Sequence, residues 1–333
     1  MRSRKLLLVM LATIVACSGA GYLALKFSPW PSALILRRGW DRGGVAIAHR
    51  LDKYVPTGLS VRLNEQYDPA DSGAVLDVFS PGNVDQTDQK LPTIVWVHGG
   101  SWISGSKDHI ANYLKILASK GFTTVGVDYA LAPGSRYPTP VIQVNAALAF
   151  LGSNATRLHV DPEKLFLAGD SAGAQIAAQL ANVISLPSYA REVGIEPSIV
   201  PAQLRGVILH CGTYEVELAN FGREGVLWSY FGTKNFKQDP RISEFSVARH
   251  ITSRFPPIFL SSGNDDALAP QSQRLASVAS SQGILVDALL FPPSYTPPVQ
   301  HEFQFNLDTE AGRMALDRSV QFIRDRLSNG GER

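Results

Sequence analysis

The chain has 333 residues, 45% of them hydrophobic, enough to bury a large core, and carries a formal charge of +2 at neutral pH. Residues 1–42 hold Arg2, Arg4, Lys5, Lys26, Arg37, Arg38 and Arg42 against Asp41 alone, a local +6; taking that from +2 leaves residues 43–333 at −4. A mildly acidic body has no electrostatic footprint for nucleic acid, and two cysteines, Cys17 and Cys211, give no basis for an internal disulfide framework.

The N-terminus reads first. Behind "MRSRK", Leu6–Leu25 is uncharged, close to the ~20 residues an α-helix needs to cross a bilayer's hydrocarbon core. Three readings fit residues 1–27: a signal anchor with its basic flank in the cytoplasm, a cleaved secretory signal, or a lipoprotein signal lipidated at Cys17, whose "IVAC" resembles the bacterial lipidation box. The expectation is a membrane-anchored protein with its body outside the cytoplasm, or an exported one after cleavage. Residues 28–59 mix aromatics, aliphatics and arginines and predict one or two amphipathic helices, near the membrane surface or over the mouth of the body.

From residue 60 strand and helix signals alternate. "AVLDVFSP", "PTIVWVHGG", "FTTVGVDYAL", "KLFLAGD", "LRGVILHCG", "PPIFLSSGND" and "LVDALLFP" read as strands. "DHIANYLKILASKGF", "PTPVIQVNAALAFLGSN", "SAGAQIAAQLANVIS", "PQSQRLASVASSQG" and "TEAGRMALDRSVQFIRDRLS" read as helices. Such alternation predicts an α/β fold with a mostly parallel central sheet flanked by helices. No repeat or low-complexity linker interrupts residues 60–327, which are read as one domain. Residues 212–256 are too long for an ordinary connection and carry Tyr214, Phe221, Trp228, Tyr230, Phe231, Phe236 and Phe245, so a lid or cap insertion is expected there. Cys211, in an apolar strand, reads as a small core residue.

Gly169-Asp170-Ser171-Ala172-Gly173 stands between an apolar strand and an Ala-rich helix. A strand-to-helix reversal this sharp strains the central residue, and glycines at both ends relieve the crowding, so Ser171 is expected to stand exposed as a nucleophile. A serine attacking an acyl carbon needs donors for the oxyanion that forms. His98-Gly99-Gly100 directly follows "TIVWV", where bare backbone amides can close on a substrate. Trp102 is expected near the acyl or alcohol group, and Trp228 and Phe231 are provisional pocket residues. Three histidines follow Ser171. His210 lies inside a strand, His250 lies in the insertion, and His301 follows the last strand, where a catalytic base belongs when the order is Ser, acid, His. "GNDDAL" offers Asp265 and Asp266 as the acid, and the residues alone do not separate them.

Together, "HGGSW" (98–102), "VDYALAP" (127–133), "GDSAG" (169–173), "GNDDAL" (263–268) and "HEFQF" (301–305) resemble the α/β-hydrolase family, in particular its hormone-sensitive-lipase-like and acetyl-esterase-like carboxylesterases. The resemblance spans about residues 60–327. It implies a Ser171–Asp266–His301 triad, because Gly263 and Leu268 frame Asp266 as the family's Gly-x-x-Asp-x-Leu, and an oxyanion hole from Gly99, Gly100 and Ala172. The arginine the family often has before Leu-Ala-Pro is Ala130 here, so its contact is not carried over.

The expected activity is hydrolysis of small-molecule carboxylic esters of short-to-medium acyl chain through an acyl-enzyme. The same triad would serve an acyltransferase, an amidase or a peptidase, and a catalytically silent membrane scaffold is the remaining alternative. No cofactor is expected, and no metal: the seven histidines show neither H-x-H nor H-E-x-x-H spacing. Composition and motifs leave the oligomeric state open.

Overall fold

The computed structural model describes residues 2–216 and 224–328; Met1, residues 329–333 and, in the expected insertion, residues 217–223 with Phe221 lie outside them. Two helices come first, α1 (Arg2–Phe27) and α2 (Trp30–Leu51), with only Ser28 and Pro29 between them. α1 from Arg4 to Phe27 is long and apolar enough to cross a membrane, and none of its apolar stretch is buried in the protein.

Eight strands form one sheet: β1 (Leu59–Gln66), β2 (Val75–Pro81), β3 (Leu91–Val97), β4 (Thr123–Val127), β5 (Val160–Asp170), β6 (Leu204–His210), β7 (Ile258–Ser262) and β8 (Val286–Leu290). Their spatial order is β1-β2-β4-β3-β5-β6-β7-β8. β1 and β2 pair antiparallel, as do β2 and β4, and every other neighbouring pair is parallel. The sequence pattern foresaw seven of these strands. It missed β1, an edge strand whose "LSVRLNEQ" alternates apolar and polar only over Leu59–Leu63, with Val61 and Leu63 exposed.

The buried strands show their two faces by alternation. Val95, Val97, Leu165, Leu167, Val207 and Leu209 enter one core cluster, while Ile94, Trp96, Phe166, Ala168 and Ile208 enter the other. The first face is covered by α4 (Thr139–Ser153), α5 (Ala172–Ser185) and α9 (Ala269–Ser281), the second by α3 (Lys107–Ala118) and α10 (Glu310–Ser328). α5 is buried along its whole length, which accounts for its run of alanines. Short helices α6 (Pro187–Val193), α7 (Glu224–Phe231) and α8 (Arg241–Phe245) complete the described elements. α6 was not foreseen, and residues 28–59 hold one long helix, α2, followed by a short 3-10 turn.

Register aligns the strand ends that matter. Val97 pairs with Gly169, Asp170 with His210, and His210 with Ser261. The loops after β3, β5, β6, β7 and β8 therefore leave the same carboxyl edge, where ligands bind in open α/β sheets.

Candidate active site

Ser171 sits at the turn from β5 into α5 with φ 51° and ψ −116°, a left-handed backbone that few side chains adopt. The turn is tight enough to need its glycines. A Cβ on Gly173 would lie 2.0 Å from the Val97 carbonyl oxygen, and one on Gly169 would lie 2.5 Å from the Gly173 carbonyl carbon. Ser171 Oγ is 3.1 Å from His301 Nε2. His301 Nδ1 lies 3.0 and 3.1 Å from the two Asp266 oxygens. Asp266 is held in turn: its Oδ1 accepts from the Leu268 N–H at 2.8 Å and its Oδ2 from the Ser262 hydroxyl at 3.3 Å. Asp266 itself thus makes the turn into α9. Among the described residues, Asp265 is fixed through its backbone N–H, to the Val299 carbonyl.

Burial works against charge on both groups, but their mutual attraction wins. The His301 hydrogen bond holds the Asp266 carboxyl below its ordinary value. Asp266, with help from Cys211 and Glu302, holds the His301 ring well above its own. Cys211 is fully buried, as expected of a core residue, yet it also packs against the His301–Asp266 pair, and burial pushes its thiol up to about 11.

The loop after β3 places Gly99 and Gly100 over Ser171 and corrects one expectation. The Gly99 N–H donates to Asp170 Oδ2 at 2.8 Å, so it is not available to an oxyanion. Asp170 also accepts from Trp96 Nε1 at 2.7 Å and lies within hydrogen-bond reach of Glu302. Burial, then the nearby Glu302 charge, raise the Asp170 carboxyl well above the carboxylate range. The middle residue of the G-D-S triplet is the anchor of the glycine loop, a role its sequence position did not disclose. His98 organises the same loop. It is buried, stacks on Tyr129 at 4.3 Å, contacts the Gly99 carbonyl oxygen, and is pushed down to about 4 by burial. His210 is a core residue against Trp96, and His250 contacts the Ser243 carbonyl oxygen; neither reaches the site.

Two cavities meet at Ser171. The larger, about 240 Å³, is bordered by Gly99, Gly100, Asp170, His301 and Glu302, and by Gly39, Trp40, Gly43, Gly44 and Ile47 of α2. The smaller, about 10 Å³, lies between Ser101, Trp102, Ala172, Thr213, Val226, Leu227 and Leu268. Trp102 borders the smaller cavity, stacked on Tyr230 at 5.0 Å and donating to Gln175 Oε1. Trp228 and Phe231 border neither cavity. Phe231 is buried among Tyr137, Tyr230 and Phe245, and the Trp228 ring lies under Lys234 Nζ at 4.4 Å. The apolar wall comes from Val226 and Leu227, one turn earlier on α7. Tyr214, Tyr230, Phe231, Phe236 and Phe245 of the long connection are packed into the same core cluster as one face of the sheet, which composition does not distinguish from a pocket. The Gly39/Gly43 spacing on α2 is the signal in the sequence that would have marked that helix as a cavity wall.

Known proteins agree with this architecture. A family model described as BD-FAE matches residues 76–278. The chain is 27% identical over 250 residues to carboxylesterase NlhH of Mycobacterium tuberculosis, covering 71% of this chain and 74% of that one. It is 27% identical over 210 residues to an acetyl esterase of Salmonella paratyphi B, covering 60% and 61%. Its fold matches an inhibited esterase B from Lactobacillus rhamnosis with a TM-score of 0.76 at 22% identity, covering 91% of this chain and 100% of that one. By its family match the chain belongs to the BD-FAE family, and so to the α/β-hydrolase carboxylesterases.

Proposed function

We propose that the chain is a serine esterase that cleaves short-acyl esters, held at a membrane by α1. The observation that carries this is the unbroken line Ser171 Oγ, His301 Nε2, His301 Nδ1, Asp266, with the serine in a strained turn at a helix N-terminus. Ser171 attacks the ester carbonyl while His301 takes its proton, and Asp266 orients the ring and stabilises its cation. The N–H groups of Gly100 and Ala172 receive the developing oxyanion. His301 then protonates the departing alkoxide, and the same ring activates the water that releases the acid.

That proton transfer assigns the two cavities. His301 borders the larger one and is absent from the smaller, so the alcohol lies in the 240 Å³ arm and the acyl group in the 10 Å³ arm. A space of that size holds about one water-sized sphere, enough for an acetyl methyl. The apolar helix near the N-terminus supports anchoring, with the catalytic body outside the cytoplasm.

Turnover of p-nitrophenyl acetate, butyrate and laurate by wild type and Ser171→Ala tests the reading. Wild type should prefer acetate, and the variant should fall by at least roughly 10³-fold and lose fluorophosphonate labelling. Undiminished turnover in Ser171→Ala would overturn the assignment.

A further inference from the structure

α2 has two opposite jobs on one helix. Gly39, Trp40, Gly43, Gly44 and Ile47 recur at three- and four-residue spacing and border the alcohol arm. On the far side of the same helix stand Leu34, Ile35, Arg38, Arg42 and Val45, with Leu34 50%, Ile35 70% and Val45 48% exposed. One flank of the helix, next to the Leu34–Arg38–Arg42–Val45 face, is tied to the body by Arg37, which donates to the Ile103 and Ala132 carbonyls, and by Asp41, which accepts from the Gly105 N–H at 3.0 Å. Gly44 is demanded by packing, because a Cβ there would run into the His109 ring, but a Cβ on Gly39 or Gly43 would meet nothing within 4 Å. Each nonetheless weakens a helix, so what they supply is room in the cavity. A neighbouring 460 Å³ cavity shares Gly43, Ile47, His301 and Glu302 and extends the arm along α2 as far as Arg50.

The outer face has features that name its partner. Two residues separate α2 from the end of a helix long and apolar enough to span a bilayer, so anchoring α1 brings the start of α2 to the lipid headgroups. Beside that junction Lys234 Nζ lies over both Phe27 and Trp228, an aromatic and basic pair of the kind found at membrane interfaces. Exposed aliphatics interleaved with arginines are the pattern of a helix lying in an anionic interface.

We infer that α2 lies on an anionic phospholipid surface by its Leu34–Ile35–Arg38–Arg42–Val45 face, and that the alcohol arm on its other side takes short-acyl esters of membrane-resident amphiphilic alcohols. This rests on the esterase and anchoring readings above. The bilayer then acts as the substrate reservoir, and the glycine face of α2 is the wall past which the alcohol slides.

The test uses the full chain in phosphatidylcholine vesicles with and without phosphatidylglycerol. Its substrates are soluble p-nitrophenyl acetate and an acetylated diacylglycerol dissolved in the vesicles. The double variant Arg38→Glu/Arg42→Glu should retain acetate turnover and lose roughly tenfold or more on the lipid ester in phosphatidylglycerol vesicles. A ratio of the two rates equal to wild type overturns the inference, whatever happens to either rate alone. A second reading is optical. Val45 lies 15 residues from Trp30, about 22 Å along the helix, so Val45→Trp should be quenched by brominated lipid only if α2 lies flat. Shielding of that tryptophan, by water or by a second copy of the chain, overturns the inference. Failure of the underlying readings looks different: no acetate turnover in wild type removes the esterase, and failure to co-float with vesicles removes the anchor.

Discussion

Leu227→Ala is the sharpest test of the two-armed site. Leu227 is buried and walls the 10 Å³ cavity opposite Trp102. Trp102 cannot yield, being stacked on Tyr230, edge-on to Phe245 and hydrogen-bonded to Gln175. A butyryl group is two methylenes longer than acetyl, and in wild type those carbons press on Leu227. Truncation removes three side-chain carbons from that wall and lets both methylenes be buried. At about 0.8 kcal/mol each this is about 1.6 kcal/mol of transition-state stabilisation, or about 15-fold in kcat/KM. The assay is kcat/KM for p-nitrophenyl acetate and butyrate with each enzyme, the butyrate-to-acetate ratio being compared between them. Because a buried Leu→Ala change costs about 2–5 kcal/mol of stability, circular dichroism must show folded protein at the assay temperature. A butyrate-to-acetate ratio within about twofold of wild type would refute the reasoning: the acyl group would then lie elsewhere and the assignment by proton transfer would be wrong.

The remaining predictions concern the hydrogen-bond line and its turn. Asp266→Asn should lower kcat by about 10⁴-fold, as loss of the acid does in triads of this kind, whereas Asp265→Asn should stay near wild type; equal losses would return the choice between the two acids to open. Because His301 must be neutral to act as base and its pKa is raised, kcat/KM should fall as pH drops through a midpoint above about 6.5. Glu302→Gln removes one raising charge and should move that midpoint down, so a midpoint that stays or rises counts against the electrostatic reading. Gly173→Ala forces a Cβ against the Val97 carbonyl and should lower unfolding stability by about 1–3 kcal/mol or more. Urea unfolding measures it, and a change under about 0.5 kcal/mol would mean the turn relaxes freely.

Much of this protein was legible along the chain because local physics writes it there. Buried parallel strands must be continuously apolar, so β3, β5, β6 and β7 announced themselves. A strand that reverses into a helix within one residue must carry glycines, so the turn at Ser171 did too. His301 was expected beside it from chain order and Asp266 from the resemblance, and the structure brings the three within hydrogen-bond reach. What tertiary structure alone decided depends on groups far apart in sequence. The pairing of Gly99 with Asp170, 71 positions away, took up an N–H expected as an oxyanion donor and bound the glycine loop to the turn at Ser171. Cys211 reached the His301–Asp266 pair only because β6 and β7 are register neighbours. Trp228 and Phe231 were expected at the pocket, but Phe231 packs among Tyr137, Tyr230 and Phe245 and Trp228 lies under Lys234, leaving Val226 and Leu227 to form the wall. A side chain's type tells what it can do. Which cavity it borders is set by packing partners that no local pattern records.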